Sequence, residues 1–101
     1  MPTDQSAKSA VQHDPSQQRF FVSFPGGSDA VLAYAPIGAD VLDLRHTIVP
    51  PEEQGRGVGE SLVRAALAHA RRERLRVVPT CHFVQAYLDA HPEEQELVST
   101  P

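Results

Sequence analysis

The amino-acid sequence predicts a small single-domain α+β protein with one mixed, mostly antiparallel sheet and two main helices. The chain has 101 residues, which is enough for one modest hydrophobic core but not for two. Apolar residues alternate in the first half, as in half-buried strands, and recur at helical spacing in much of the second half. A sheet followed by helical segments is therefore the fold we expect.

The composition excludes several classes of protein. Apolar residues make up 41% of the chain, charged residues 22%, and the net charge is -4, which argues against a general nucleic-acid binder. The chain contains no run of about 18 apolar residues, so we expect no membrane span. Cys81 is the single cysteine, so we expect no internal disulfide, no zinc or other metal site, and a cytoplasmic location.

The first half of the chain predicts a tail and three strands. Residues 1–18 are polar and predict a mobile tail. Residues 19–24 and 30–36 alternate around a Pro-Gly-Gly turn, which predicts a β-hairpin. A third strand is predicted over residues 39–49. Because side chains alternate along a strand, we expect one face of this strand to carry Leu42, Leu44, His46 and Ile48.

The second half predicts helix, strand and helix. Residues 59–73 carry an apolar stripe and many alanines, which favours a helix. Residues 75–81 predict a strand that Pro79 leaves free along one side, so that it can separate from its neighbour. A second helix is predicted over residues 82–90, with an apolar face formed by Phe83, Ala86, Tyr87 and Ala90. The acidic end, residues 93–101, is expected to fray.

The most informative segment joins the third strand to the first helix. It reads Val49-Pro50-Pro51-Glu52-Glu53-Gln54-Gly55-Arg56-Gly57-Val58-Gly59. Glycines let the backbone turn tightly and approach a ligand, and a helix N-terminus favours anions. The missing Lys-Ser/Thr ending excludes a P-loop, and the glycine spacing differs from the dinucleotide fingerprint. A pyrophosphate loop and a plain glycine-rich turn remain as alternatives.

Gln54-Gly55-Arg56-Gly57-Val58-Gly59 resembles the acyl-coenzyme A pyrophosphate loop of the GNAT N-acetyltransferase superfamily. Residues 46–93 as a whole resemble its smallest, single-domain members. The chain matches their pattern through His46-Thr47-Ile48-Val49-Pro50, through Val77-Val78-Pro79-Thr80-Cys81-His82-Phe83-Val84-Gln85-Ala86-Tyr87, and through His91-Pro92-Glu93. The resemblance implies a GNAT-like domain over residues 19–98 with splayed central strands.

The resemblance also implies acetyl-coenzyme A as cosubstrate. Splayed strands leave unpaired backbone groups with which the pantetheine arm can pair. The residues expected to contact the coenzyme are Ile48, Val49, Gln54, Gly55, Arg56, Gly57, Val58, Gly59 and Phe83. Relatives often carry Glu at the position of Ile48.

Three side chains are candidates for acetyl transfer. His46 precedes the loop and suits a general base, although it can equally be a strand histidine in the core. Cys81 precedes a helix, whose dipole favours a thiolate nucleophile or proton donor, although a buried cysteine can also be inert packing. In larger GNAT enzymes a tyrosine on this helix protonates the thiolate, which makes Tyr87 a candidate unless it only packs in the core.

These observations predict an N-acetyltransferase that acetylates a primary amine by direct attack. The acceptor is a small amine or a protein lysine or N-terminus, and the protein is a monomer or weak homodimer that binds neither nucleic acid nor membrane. Ile48 motivates one alternative, a non-catalytic module that senses coenzyme A or acyl-coenzyme A or docks to a partner. An adaptor without any cofactor is the other.

Overall fold

The computed structural model of the chain describes residues 10–99. They form five strands: β1 at Gln12–Asp14, β2 at Arg19–Val22, β3 at Ala30–Ile37, β4 at Val41–Ile48 and β5 at Arg76–Pro79. There are two α-helices: α1 at Val58–Glu73 lies between β4 and β5, and α2 at His82–Ala90 comes after β5. Short 3-10 helices occupy Pro51–Glu53 and Pro92–Leu97. The predicted α+β class with a mixed sheet and two main helices is confirmed.

The strands lie in the sheet in the order in which they occur in the chain. The first three pairings are antiparallel, and β4 pairs with β5 in parallel after the crossover through α1. This parallel pairing ends at Leu44 and Pro79, although β4 continues to Ile48. Since β5 ends at Pro79, the last residues of β4 have no strand partner on that side. Unpaired backbone at this end of β4 thus results from the shortness of β5, and a splay of two central strands stays a prediction.

One face of the sheet, the inner face, carries the hydrophobic core. Its buried strand residues are Phe20, Val22, Ala30, Leu32, Tyr34, Leu42, Leu44 and Val77. Helix α1 packs across β2 and β3 on this face, and α2 packs across β4 and β5. Because side chains alternate along a strand, the residues between them form an opposite, open face. No side chain of the open face is buried within residues 10–99.

A β-bulge interrupts the alternation of β4. Tyr34 of β3 lies opposite Leu44, and the preceding Ala33 lies opposite His46, so that Arg45 is an extra residue without a partner. A bulge of this kind shifts the side chains that follow it to the other face. The prediction that Leu42, Leu44, His46 and Ile48 share one face is therefore wrong: the last two lie on the open face.

Helix α1 has the predicted buried stripe. Its buried residues are Val58, Gly59, Leu62, Val63, Ala66, Leu67 and Ala70. Arg74 is the C-cap residue, and its left-handed backbone (φ 60°) turns the chain so that the N–H of Leu75 donates to the carbonyl of Ala70 at 2.8 Å. Arg71 and Arg72 in the last turn interact favourably with the negative end of the helix dipole.

Helix α2 has the predicted length but a different buried face. Its buried residues are Val84, Tyr87 and Leu88, whereas Phe83, Ala86 and Ala90 are exposed. Residues 84 and 88 lie one turn apart and contact the sheet together. The helix is rotated accordingly, and Phe83 points toward the first turn of α1.

Residues 12–14 and 92–98 have more regular structure than the sequence predicts. Residues 12–14 of the expected tail form β1, which pairs with β2, while residues 1–9 of that tail lie outside the described residues. At the other end, Leu97 is buried and Val98 bridges to Val77, so fraying is wrong for this segment. Arg71 binds Glu94 at 2.7 Å and also binds Glu96, whose carboxyl pKa this hydrogen bond lowers. The core and these ion pairs hold the C-terminal segment in place.

A cluster of aromatic rings attaches β1 to the core. The His13 ring stacks on Phe20 with centroids 4.2 Å apart, and its Nε2 lies 2.6 Å from the hydroxyl of Tyr34. His69 of α1 meets the His13 ring edge-on at 4.6 Å. Burial and the nearby His69 and Arg72 lower the pKa of His13, against the opposing effect of Asp14. The neutral imidazole is therefore the form that this contact favours.

Candidate coenzyme site

A cavity of about 630 Å³ opens between the end of β4, the glycine loop and the start of both helices. It is lined by Thr47, Val49, Glu53, Gln54, Gly55, Gly57, Val58, Gly59, Glu60 and Phe83. Seven of the nine residues predicted to contact the coenzyme are in this lining, and Ile48 and Arg56 are not. The cavity lies at the end of β4 that extends beyond β5.

The glycines of the loop have two different roles. Gly55 and Gly57 have left-handed backbones (φ 83° and 79°), which other L residues adopt only with strain, and a Cβ on either would meet nothing within 4 Å. The space above them is open to a ligand. Gly59 has no such backbone, but a Cβ there would lie 2.7 Å from Cζ of Phe83. Its role is to let the Phe83 ring approach the helix.

The N-terminus of α1 faces the cavity without a side-chain cap. Gly57 is the N-cap residue and has no side chain, and its carbonyl accepts hydrogen bonds from the amide and the hydroxyl of Ser61. The first backbone N–H groups of a helix have no partner within the helix. Together with the helix dipole they form a binding site for anionic oxygen atoms.

Charged and amide side chains surround the loop. Gln54 donates a hydrogen bond of 3.0 Å to the carbonyl of Val49, which fixes the loop against the end of β4. Arg56 is exposed and lies 3.8 Å from Glu53, so its positive charge offsets that lining carboxylate. Glu60 in the first turn is the second carboxylate of the lining. An anionic ligand would therefore be held mainly by main-chain donors, with Arg56 close by.

Thr47 lines the cavity and contacts Cys81, which is not itself a lining residue. The hydroxyl oxygen of Thr47 lies 3.6 Å from the sulfur of Cys81, and either group can donate the hydrogen bond. Cys81 is the N-cap residue of α2 and is 9% exposed. Its amide donates to the carbonyl of Leu44, where the pairing of β4 with β5 ends. The sequence interpretation did not include Thr47, because strict alternation places it on the face away from the core.

His46 and Ile48 lie on the open face. His46 is exposed rather than packed beside Leu44, so a core role for this histidine is wrong. Ile48 is 58% exposed and pairs with Val31 across the sheet. Neither side chain lines the cavity.

Tyr87 lies in the core, as one of its two interpretations expected. It is 7% exposed, and its ring stacks on the ring of His91 with centroids 4.0 Å apart. The Nδ1 atom of His91 lies 2.8 Å from the Tyr87 carbonyl, which fixes this pair at the end of α2. The Tyr87 side chain is absent from the cavity lining.

Comparison with known proteins agrees with the predicted family. A family described as GCN5-related N-acetyl-transferase matches residues 19–97. The chain belongs to this family. Relatives named Protein NATD1 from Gallus gallus and Mus musculus are 37% identical over 95 residues, covering 93% of this chain and 86% of each relative. The relative of the same name from Danio rerio is 34% identical.

Solved structures support the same fold. The solution structure of a GCN5-like protein from Staphylococcus aureus superposes with a TM-score of 0.70, covering 90% of this chain and 88% of that one, at 23% identity.

Neither helix within residues 10–99 is long and apolar enough to cross a bilayer. In the same part of the chain, no three His, Cys, Asp or Glu side chains are placed together to hold a metal ion.

Proposed function

We propose that this protein is an acetyl-coenzyme A-dependent N-acetyltransferase. The observation that carries the proposal is the uncapped N-terminus of α1, which opens with Gly55 and Gly57 into a cavity that Thr47 also lines. Cys81 lies behind Thr47, in contact with its hydroxyl. Family membership makes acetyl-coenzyme A the expected ligand. One end of the cavity would therefore hold anionic oxygen atoms, and the other end has the Thr47 hydroxyl beside the unpaired end of β4.

The residues present fit the parts of this ligand. Main-chain N–H groups at the start of α1 would hold the pyrophosphate, and the open space above Gly55 and Gly57 would admit its oxygen atoms. Val49 and the 43% exposed ring of Phe83 supply apolar surface for the pantetheine arm. The end of β4 beyond Leu44 has no β5 partner, so its backbone can pair with the amides of that arm.

The bound thioester would supply an activated acetyl group to a primary amine. A bond forms between the amine nitrogen and the acetyl carbon, the carbon–sulfur bond breaks, and the departing thiolate takes up a proton. In this proposal the Cys81 thiol, which contacts the Thr47 hydroxyl, would give this proton and regain one from the acetylated nitrogen. Fixing the thioester beside the amine supplies much of the acceleration. Acylation of Cys81 itself is a minority route.

The acceptor is an amine on a small molecule or on a protein. The net charge of -4 favours a cationic partner. Nucleic acid and membrane are not expected partners, and the reduced Cys81 suits a cytoplasmic location.

A non-catalytic module that binds coenzyme A or acyl-coenzyme A is the second candidate. It is favoured by the position of His46, whose imidazole is on the open face, and by the absence of any histidine from the cavity lining. Release of free thiol from acetyl-coenzyme A on addition of a panel of amines would support the enzyme. Binding without such release would support the sensor.

The melting temperature in the presence of coenzyme A tests both candidates together. A ligand at a hundredfold excess over its dissociation constant stabilises the fold by about 2.7 kcal/mol, which we expect for the native chain. Gly57→Glu should abolish this shift, because a carboxylate would enter the anion site. Gly38→Glu is the matched control: Gly38 also has a left-handed backbone (φ 63°) and open space around it, but it lies outside the cavity. No shift for the native chain, or loss of the shift in both variants, would overturn the proposal.

A further inference from the structure

The lining of the coenzyme cavity carries more negative charge than a site for an anion normally does. Its side chains include the carboxylates of Glu53 and Glu60, and within residues 10–99 no lysine or arginine belongs to the lining. Sites for phosphate oxygen atoms are usually built from backbone N–H groups and cationic side chains. The two carboxylates therefore oppose the binding of the anion that the start of α1 favours.

The short 3-10 helix before the loop places Glu53 in this lining. Glu53 is the last residue of that helix, and its amide donates a hydrogen bond of 2.9 Å to the carbonyl of Pro50. Its side chain is only 19% exposed. The neighbouring Glu52 is exposed, lies outside the lining, and has its Oε2 atom 3.7 Å from the position that a Cβ of Gly27 would take. Of these two consecutive carboxylates, the cavity thus receives only that of Glu53.

The cation beside the cavity is bound to this carboxylate. Nη1 of Arg56 lies 3.8 Å from Oε1 of Glu53, and the Arg56 side chain is 66% exposed and outside the lining. An ion pair this exposed is weak. A phosphate group can accept two parallel hydrogen bonds from a guanidinium and is a stronger partner for it. A bound diphosphate could therefore take Arg56 from Glu53.

We propose that Glu53 competes with the ligand for Arg56 and thereby lowers the affinity of the cavity for coenzyme A. This inference rests on the proposed function. In the free chain the carboxylate holds the guanidinium. On binding, the guanidinium turns to the diphosphate, and Glu53 stays in the lining without its partner. Because coenzyme A is also the product of acetyl transfer, the lower affinity favours its release after each turnover.

The second carboxylate of the lining distinguishes competition from simple repulsion. Glu53 and Glu60 both place negative charge beside the ligand, but Glu53 is the one that pairs with Arg56. Removing either charge should tighten binding. Only the effect of Glu53 should depend on the presence of Arg56, and a double-mutant cycle measures this dependence.

Calorimetric titration of the full chain with coenzyme A tests the inference, at about 0.15 M salt to screen distant charges and with EDTA to remove divalent cations. Glu53→Gln should lower the dissociation constant about threefold, and by a smaller factor when Arg56→Gln is also present. Glu60→Gln should act by the same factor with and without Arg56→Gln. Glu52→Gln is the matched control for net charge, and its dissociation constant should stay close to that of the native chain.

Each outcome supports or rejects the competition. A dissociation constant that Glu53→Gln leaves unchanged or raises overturns the inference, although the proposed function stands because the native chain still binds. An equal gain with and without Arg56→Gln also overturns it, since Glu53 would then act by repulsion alone. A native chain that does not bind coenzyme A overturns both proposals. The melting temperatures of the free variants should match that of the native chain, which excludes misfolding as the cause of a change.

Discussion

The ring of Phe83 lies directly against the backbone of Gly59. A Cβ at this glycine would be 2.7 Å from Cζ and 3.0 Å from Cε2 of the ring, closer than side chains pack. The contact joins the first turns of α1 and α2, and both residues line the cavity. The width of the cavity at this point therefore depends on the absence of one methyl group.

Gly59→Ala should weaken ligand binding without lowering the stability of the fold. Alanine favours the helical backbone by up to about 1 kcal/mol over glycine, so the melting temperature of the free protein should hold or rise. The displaced Phe83 ring should weaken coenzyme A binding about tenfold, as measured by calorimetry. Gly59→Ala combined with Phe83→Leu removes the clash and should recover part of the affinity. Equal affinities in native and Gly59→Ala chains would contradict the assigned role of this contact.

Thr47→Val should slow the reaction of Cys81 with iodoacetamide. The variant keeps the shape of the side chain but removes the hydroxyl that lies 3.6 Å from the sulfur. A lost hydrogen bond of about 1 kcal/mol corresponds to about fivefold in rate. Because Cys81 is the single cysteine, the alkylation rate reports on this thiol alone. Thr47→Ser should react at nearly the native rate, and a rate unchanged in Thr47→Val would show that the contact has no effect on the sulfur.

The stability of the β1 contact should depend on pH through His13. Its pKa is lower in the folded chain than the ordinary 6.5, so the unfolded chain binds more protons between the two values. The contribution to the free energy of unfolding is complete above pH 6.5 and is lost as the pH falls through the folded pKa. Urea titrations at several pH values should show a smaller decrease below pH 6.5 for His13→Gln than for the native chain. Identical pH profiles would argue against this role of His13.

Leu97→Ala should destabilise the fold by about 2 to 3 kcal/mol, because it leaves a cavity in the core. Leu97 is 8% exposed, and the adjacent Val98 bridges to β5. Glu93→Ala in the same 3-10 helix is exposed and serves as the control, with little expected change. Denaturant unfolding measures both. A loss below about 0.5 kcal/mol for Leu97→Ala would mean that the C-terminal segment contributes little.

Patterns that depend on local spacing were predictable from the sequence. The stripe of α1, the length of α2 and the glycine loop between strand and helix follow from residue order alone, and the resemblance supplied the family. The buried face of α2 was not predictable in this way. Phe83 is as apolar as Val84, and its outward position depends on the contact with Gly59, which is 24 residues earlier and visible only in the folded chain.

Long-range packing also determines the structure of residues 12–14, the burial of Leu97 and the position of Thr47. Polar residues 12–14 form a strand because β2 offers an open edge and Phe20 offers a ring to His13. Leu97 is the single large apolar residue in an acidic run, yet it fills a place in the core. Thr47 could not be recognised as a site residue, because alternation cannot reveal an extra residue in β4.

That extra residue, Arg45, determines which side chain at the end of β4 faces Cys81. Deleting it would produce an unbroken strand in which the hydroxyl still faces the sulfur. Straightening the strand at its present length would instead rotate the last residues by half a turn and offer the imidazole of His46 to the thiol. A shift of one residue would thus replace the Thr47 hydroxyl beside Cys81 with the His46 imidazole, although the sequence stays the same.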